Sequence, residues 1–213
     1  MSHIPGLRVK YKLKQIAPKI VLLSLKDTWI DLWSVLVCNL IWIVSIILII
    51  PGPPVTLALF YYANQTAHDE SINVTDFFKA IPRFWWTGWR WGVLNLIALI
   101  VLLGDAVLTS YQSKTQISIF LSGIYFTLVV FWLLLQMFTI PFLLEQEKPS
   151  VLLALRNGIV MIGKNPFFSL SLLLLLFLTL TLGTIVFMLS VAVGGAFVAF
   201  AGNRAVLNRI ENP

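Results

Sequence analysis

Long apolar runs alternate with short polar segments along almost the whole chain. A run of about 20 apolar residues is enough to cross the hydrocarbon core of a bilayer as a helix. The runs of this kind are Trp29–Ile50, Trp91–Leu108, Ile117–Leu144 and the charge-free stretch Phe167–Gly202. As a single helix the last stretch would be about 54 Å long, nearly twice the thickness of the core, so it is predicted to fold back on itself. Gly183 is the preferred turn, because a turn at Gly194-Gly195 would leave too short a final span.

A shorter apolar segment, Val55–Ala67, follows Pro51-Gly52-Pro53-Pro54. These prolines end the preceding helix, because proline lacks an amide donor and its ring clashes with the preceding turn. The break is either a loop on the outer face or a discontinuous helix of the kind that lines transporter sites. Val55–Ala67 is either a tilted crossing or a half-crossing that returns from the prolines. The predicted fold is therefore an all-α transmembrane bundle with six crossings, or five if Val55–Ala67 does not span.

An amphipathic helix that lies in the membrane interface is predicted within Ser71–Trp91. Asn73 or Thr75 provides its N-cap, and Asp76 lies in its first turn. Tryptophans and arginines beside a span are typical of the belt at headgroup depth, where amphipathic rings are favoured. The candidate lipid-facing residues of this belt are Arg83, Trp85, Trp86, Trp89 and Arg90.

Basic amphipathic stretches precede three pairs of apolar segments. They are Lys12–Lys26, Thr75–Arg90 and Ser150–Lys164. Internal repeats are common in membrane folds, so the chain is predicted to repeat a unit of one interfacial helix and one hairpin of two spans. The expected domain organisation is a basic interfacial segment, 1–28, followed by a single transmembrane helical domain, 29–213.

Composition indicates what surrounds these helices. The chain of 213 residues is 59% hydrophobic and only 11% charged, with a mean hydropathy of +0.91, whereas soluble domains are about a quarter charged. A soluble globule of this length could not hide so much apolar surface, so lipid must be the solvent for most of it. Trp29–Ile50 is also too long for the apolar core of a signal peptide and is predicted to be a retained span.

The net charge is +6, and lysines and arginines flank the apolar runs. With six crossings, fourteen of the fifteen lysines and arginines fall on the side of both termini, and only Lys114 falls on the other. Positive charges are retained on the cytoplasmic face, so both termini are predicted to be cytoplasmic. The pattern favours orientation charges over nucleic-acid binding, and anionic lipid headgroups as their partners.

Polar residues inside the apolar runs are the candidate functional groups, because an unpaired polar group is costly at membrane depth. The candidates are Asp31, Asn39, Asn95 and Gln136. Asp31 either pairs with Arg83 or Arg90 or faces the headgroups. The three amides either hydrogen-bond between helices or line a polar path.

Groups suited to catalysis or metal binding are few. The two histidines, His3 and His68, lie in a tail and a polar loop, and Glu145 is expected in solvent just past a span. The sequence contains no motif of a hydrolase, a metalloprotease or a phosphate-binding loop. Cys38, the single cysteine, is predicted to be a small buried hydrophobe. The sequence therefore predicts no enzyme, no cofactor and no metal site.

Several motifs run through nearly the whole chain from about Leu25. They are Asn39 with Trp42, Pro51-Gly52-Pro53 with Thr56, Ala58, Leu59 and the tyrosines that follow, Asp76-Phe77-Phe78-Lys79, Pro141-Phe142-Leu143-Leu144, Leu155-Arg156-Asn157 and Asn165-Pro166. Together they resemble the YesL family of bacterial membrane proteins, a family of unknown function (DUF624). The resemblance implies a small protein of the bacterial cytoplasmic membrane, often considered beside carbohydrate uptake systems. It implies no reaction and no catalytic residues.

The predicted function is a non-enzymatic accessory or regulatory role in another membrane system such as carbohydrate uptake. Its partners would be anionic membrane lipids and another membrane protein, such as a sugar transporter. The alternative is a small secondary transporter or channel with a polar path along Asn39, Asn95 and Gln136. The sequence makes no prediction of substrate or oligomeric state.

Overall fold

The structure, a computed structural model, describes the backbone of residues 16–68, 70, 72–112, 115–185 and 187–211, and the side chains of 16–68, 70, 72–111, 115–183 and 194–210. Within these residues all regular structure is helical. The helices are α1 (Ala17–Ile30), α2 (Leu32–Ile47), α3 (Gly52–Ala67), α4 (Val74–Arg83), α5 (Trp85–Gln112), α6 (Gln116–Leu144), α7 (Val151–Lys164), α8 (Pro166–Ile185) and α9 (Phe187–Glu211). The cations of the N-terminal tail (Arg8, Lys10, Lys12 and Lys14), His3 and Lys114 lie outside the described residues.

Three described helices are long and apolar enough to cross a membrane. They are α5 over Trp85–Tyr111, α6 over Gln116–Leu144 and α8 over Pro166–Gly183. Helices α1 and α2 pass the same test only as a pair that is bent by 96°, so they add at most a fourth, broken span. The prediction of an all-helical chain with helices fit to span a membrane is confirmed to this extent. The described residues provide three or four such spans, against six predicted crossings.

A break at Asp31 corrects the predicted span Trp29–Ile50. The backbone of Asp31 has φ −120° and ψ 45°, which separates α1 from α2. Its carboxylate accepts a hydrogen bond from the hydroxyl of Tyr62 on α3, so the bend is tied to the centre of the bundle. Helix α1 packs against α8 and α9, and the predicted domain boundary at 28/29 falls inside this helix.

The order of elements repeats three times, as one short helix followed by a hairpin of two helices. The short helices are α1, α4 and α7, and the hairpins are α2–α3, α5–α6 and α8–α9. The second helices of the hairpins, α3, α6 and α9, contact one another and form the centre of the bundle. Helix α3 is enclosed, since twelve of its sixteen residues are buried. The predicted threefold order of one short helix and one hairpin is therefore present, while the position of the short helices in the membrane interface stays a prediction.

The short helices link the three repeats into a closed ring. Helix α4 packs on α3, α7 packs on α6, and α1 packs on α9. Each short helix thus covers the second helix of the preceding hairpin, and the first short helix covers the last hairpin. The contact of α7 is close at Gly158, where an added Cβ would lie 2.8 Å from Leu135 Cδ1. Helix α4 begins as predicted at an Asn73 cap, whose backbone N–H donates to Asp76 Oδ2 at 3.2 Å.

The turn between α2 and α3 leaves no backbone N–H group without a partner. The donors of Leu48, Ile49, Ile50, Gly52 and Val55 each bond to a preceding carbonyl at 2.7–3.1 Å. The remaining positions, 51, 53 and 54, are prolines, which have no N–H group. Pro53 and Pro54 lie in the first turn of α3, which excludes a loop at these two positions, one of the two predicted alternatives for the break. Proline is favoured there, because first-turn donors have no acceptor within the helix.

Ile49 has an unusual backbone conformation at this turn. Its φ is +64°, and the N–H of Ile50 donates to the carbonyl of Leu48 at 2.7 Å, which makes a γ-turn of the strained form. A positive φ is rare for a β-branched residue and costs about 1–2 kcal/mol. The turn is therefore held by the packing of the two helices around it.

The start of α3 packs against two glycines of α5. A Cβ at Gly88 would lie 2.7 Å from Pro54 Cα, and a Cβ at Gly92 would lie 2.7 Å from Pro53 Cγ. Small residues four positions apart allow helices to approach closely in membranes. The α2–α3 turn therefore lies near the start of α5. Helix α5 continues past Gly92 to Gln112, a length of about 30 Å.

Helix α8 ends at Ile185 and α9 begins at Phe187, close to the preferred turn at Gly183. The alternative turn, Gly194-Gly195, lies within α9. A Cβ at Gly195 would lie 2.7 Å from the ring of Trp42 and 2.8 Å from Asn39 Oδ1. Gly195 therefore serves the close packing of α9 on α2.

Candidate functional site

The C-terminal ends of α3 and α6 meet α9 in a buried polar junction, formed by Asn64, His68, Glu145 and Asn203; Asn203 lies about two turns before the end of α9. Asn64 of α3 donates from Nδ2 to Glu145 Oε1 at the end of α6, at 2.5 Å, and to Asn203 Oδ1 of α9, at 3.0 Å. Asn203 donates in turn to the carbonyl of Phe60 at 3.1 Å. Each repeat thus contributes a polar side chain to one hydrogen-bonded group.

His68 completes the polar junction from the C-cap of α3. Its Nε2 lies 3.0 Å from Glu145 Oε1, and the side chain of Glu145 is only 5% exposed. The prediction of a solvated Glu145 is wrong, because α6 ends against α3 and α9 and places this carboxylate between them. A buried carboxylate is costly unless it is hydrogen-bonded, so Asn64 and His68 stabilise it there.

Two further contacts hold α1 and α2 to the same end of the bundle. Arg204 of α9 forms an ion pair with Asp27 of α1, and both side chains are largely buried, at 14% and 11% exposed. Asp31 accepts from Tyr62, as described above. The predicted pairing of Asp31 with Arg83 or Arg90 is not found among the described residues. Arg83 stacks instead on aromatic rings.

Asn39 lies fully buried between α2 and α9. Its Oδ1 accepts a hydrogen bond from the backbone N–H of Ala196 at 3.3 Å. One turn further on, Trp42 donates from its indole to Thr56 Oγ1 of α3 at 3.0 Å. Asn39 therefore has the first of its two predicted roles, a hydrogen bond between helices.

Asn95 and Gln136 form one hydrogen-bonded network between α5 and α6. Gln136 Oε1 accepts from Asn95 Nδ2 at 3.2 Å and from the indole of Trp91 at 3.0 Å. Asn95 Oδ1 accepts from the indole of Trp132 at 2.9 Å. The remaining amide donors reach the carbonyls of Trp91 and Trp132, at 3.1 and 3.4 Å. Every side-chain nitrogen and oxygen of these two amides thus has a partner within the network.

The predicted aromatic belt lies where α4 passes into α5. Trp86 is 75% exposed, Trp85 and Trp89 are half-buried, and Arg83 and Arg90 are exposed. These side chains lie together where α4 meets α5. Their contact with lipid stays a prediction. The start of α4 lies near the C-terminal end of α3, whereas Gly88, within the belt, lies against Pro54 at the start of α3. We call the surface of α4 and the start of α5, which carries these cations and tryptophans, the basic face.

The chemistry available at the polar junction is limited to hydrogen bonding and proton binding. It brings together one carboxylate, one imidazole and two amides. In the part of the chain that the structure describes, no three histidine, cysteine, aspartate or glutamate side chains converge on a metal position. The junction is suited to fixing the ends of α3 and α6 relative to α9.

Sequence reasoning missed the polar junction because its members are far apart in the chain. A signal does exist. Asn64-Gln65, Glu145-Gln146 and Asn203-Arg204 are each two adjacent polar residues within or directly after a central helix. Aligning the three repeats on these pairs places Asn64, Glu145 and Asn203 at equivalent positions. An alignment on the basic stretches, whose identity is weak, does not suggest this equivalence.

Comparisons of the chain with protein-family models, curated proteins and solved structures found no match. The resemblance to the YesL family therefore stays a prediction.

Proposed function

We propose that the chain is an integral protein of the bacterial cytoplasmic membrane that assists or regulates another membrane system and is not an enzyme. The observation that carries this proposal is the closed amide network of Asn95 and Gln136. Each side-chain nitrogen and oxygen of the two amides is hydrogen-bonded to the other amide, to an indole or to a backbone carbonyl. They therefore offer little to a passing solute, whereas charged and aromatic groups are exposed on the basic face.

The partners of the basic face are anionic lipids and a second membrane protein. Cations and tryptophans close to the surface attract anionic headgroups, at about 1 kcal/mol for each lysine or arginine. Carbohydrate uptake is the first system to test for a protein partner, because the resemblance to the YesL family implies it. A sugar transporter is then the expected partner.

The topology that we propose contains a re-entrant α2–α3 hairpin in place of two full crossings. Helix α3 has sixteen residues and is about 24 Å long, shorter than the hydrocarbon core. Its start lies beside Gly88 and Gly92, far from the other end of α5. The tip of the hairpin is apolar and exposed, with Ile47 73% and Ile49 72% exposed. Such a tip is favoured in hydrocarbon over water.

The backbone of the α2–α3 turn supports the same placement. Hydrocarbon offers no hydrogen bonds, so a turn within it must satisfy its own N–H groups. The turn does so, with each N–H from Leu48 to Val55 bonded and the other positions occupied by proline. Proline at the start of α3 thus removes donors that would otherwise face lipid.

The distribution of charge is the same for a re-entrant hairpin and for two crossings. Either arrangement returns the chain to the face from which it entered, and α5–α6 and α8–α9 are hairpins as well. Fourteen of the fifteen lysines and arginines therefore share one face, with only Lys114 opposite. Under the positive-inside rule this face, with both termini, is cytoplasmic.

Cysteine labelling tests this topology. In a Cys38→Ala background, a membrane-impermeant maleimide should modify Lys148→Cys from the cytoplasmic side and Tyr111→Cys from the opposite side. Ile50→Cys should be modified from neither side, because its thiol lies in hydrocarbon. Modification of Ile50→Cys from the same side as Tyr111→Cys would mean that α2 and α3 both cross, and would refute the re-entrant hairpin.

Flux and co-purification separate the accessory role from the transporter alternative. Purified protein in liposomes should move no candidate sugar, and the protein should co-purify with a transporter in mild detergent. Asn95→Leu should leave co-purification intact and lower stability modestly, since hydrogen bonds between membrane helices are worth about 0.6 kcal/mol each. Sugar flux that Asn95→Leu abolishes and Asn39→Leu leaves unchanged would instead support a polar path between α5 and α6.

A further inference from the structure

A cleft of about 230 Å³ lies between α3 and α4 on the basic face. Tyr61 and Gln65 of α3 and Asp76, Lys79 and Arg83 of α4 line it. Two cations face one carboxylate, so the lining carries a net positive charge. The cleft adjoins the belt that begins at Trp85, and it has room for a group the size of a phosphate.

Arg83 is positioned at this cleft by aromatic rings and not by an acid. Its guanidinium carbon lies 5.4 Å from the ring centres of both Tyr61 and Phe84. No acceptor among the described residues takes its N–H groups. Stacking on rings restrains a guanidinium while leaving its planar fork of donors available. Arg83 thus presents an oriented set of donors without a protein partner.

Lys79 adds a second cation one turn before Arg83. It pairs with Asp76 at 3.2 Å, but the two side chains are 76% and 39% exposed, and a surface pair of this kind is weak. Asp76 also accepts from the backbone N–H of Asn73, and this bond, followed by the contact with Lys79, lowers the pKa of Asp76 below its usual range. Lys79 can therefore turn towards an anion while the Asp76 carboxylate keeps its bond to the cap.

We propose that this cleft binds the phosphate of an anionic phospholipid headgroup, with Arg83 donating two N–H groups and Lys79 providing the second charge. The proposal rests on the proposed contact of the basic face with anionic lipid. The guanidinium fork matches phosphate oxygens in a bidentate arrangement. Trp86 follows Arg83 by three residues and is exposed, and an exposed tryptophan is favoured at headgroup depth, so a lipid is a better-placed source of this phosphate than the free ion.

Titration calorimetry on the full chain in a neutral detergent tests the site. The probes are dihexanoyl phosphatidylglycerol, dihexanoyl phosphatidylcholine and inorganic phosphate. We expect phosphatidylglycerol to bind at least tenfold more tightly than either of the others. Arg83→Gln should weaken its binding at least tenfold, because a bidentate charge-assisted contact is lost. Arg83→Lys should weaken it severalfold, since the charge stays and the fork does not.

Arg156→Gln is the matched control, because Arg156 is exposed on α7 and removal of its charge alters no side chain of the cleft. It should change the affinity less than twofold. Equal losses in Arg83→Gln and Arg156→Gln would overturn the site and leave a diffuse attraction of the basic face for lipid. Inorganic phosphate binding as tightly as phosphatidylglycerol would overturn the lipid as the ligand. The accessory role is tested separately by flux and co-purification.

Discussion

Replacing Gly88 with leucine is expected to prevent the bundle from assembling stably. A Cβ at this position of α5 would lie 2.7 Å from both Cα and N of Pro54 and 2.9 Å from the carbonyl carbon of Pro53. These are backbone atoms at the start of a buried helix, so they cannot rotate away as the end of a flexible side chain would. Overpacking costs about 1–3 kcal/mol and occasionally more. For leucine against backbone we expect the upper end of that range or beyond.

The midpoint of thermal unfolding in detergent measures this effect through Cys38. It is the only cysteine of the chain and is buried, so a thiol-reactive dye reports its exposure on unfolding. Gly104→Leu is the matched control on the same helix, because nothing lies within 4 Å of its Cβ position. It should keep or raise the midpoint, since leucine favours a helix over glycine by about 1 kcal/mol. Equal midpoints for the two variants would contradict the close contact of α5 with α3.

Replacing Asp27 with alanine is expected to lower the free energy of unfolding by about 3–5 kcal/mol. Arg204 would then remain as a largely buried cation without its partner, at 14% exposed. The loss should release α1 from α9 first, because this ion pair joins the two helices. Proteolysis within α1 should accelerate before the rest of the bundle opens.

The double variant Asp27→Leu/Arg204→Leu separates the effect of leaving Arg204 unpaired from the effect of losing the ion pair itself. Replacing a buried ion pair by apolar residues of similar size is often neutral or stabilising. The double variant should therefore recover most of the stability that Asp27→Ala loses, in the Cys38 dye assay. A double variant less stable than Asp27→Ala would show that the ion pair itself, and not the relief of an unpaired charge, holds α1 in place.

Helices with a strong local signal were predicted well from the sequence. The apolar runs within α5, α6 and α8 need no partner to be recognised, because length and composition alone fit them to a membrane. Asn73 followed by Asp76 marks the start of α4 through chemistry that is local to one turn. The order of interfacial helix and hairpin, repeated three times, also follows from patterns within each segment.

Features that depend on distant residues were not predicted. The bend at Asp31 contains neither proline nor glycine, and its side-chain partner is Tyr62, thirty-one positions away. The prolines in 51–54 predict a break in the helical run, and α2 does end before them, at Ile47, but Pro53 and Pro54 also begin the next helix. Proline is favoured both just before a helix and in its first turn. The presence of proline alone therefore does not determine at which residue the next helix begins.

The candidate functional residues also divide into those that the sequence predicts and those that only the assembled bundle reveals. Asn39, Asn95 and Gln136 were recognisable because an amide in an apolar run is conspicuous, and their hydrogen bonds between helices are of the expected kind. Glu145 was not recognisable, because an acid just past a span is usually solvated. Its burial is determined by the ends of α3 and α9, which only the assembled bundle brings beside it.

The closed ring of repeats has a consequence for biosynthesis. The first described helix, α1, packs on the last described helix, α9, and Asn39 and Asn64 also make hydrogen bonds with α9. A nascent chain that ends before α9 can insert two hairpins. Its Asn39 and Asn64 then lie in the lipid without their hydrogen bonds to α9. Membrane proteases and chaperones that recognise polar groups in lipid would find them there. Interruption of synthesis late in the chain is therefore expected to mark the product for degradation, even though most of its helices have already been inserted.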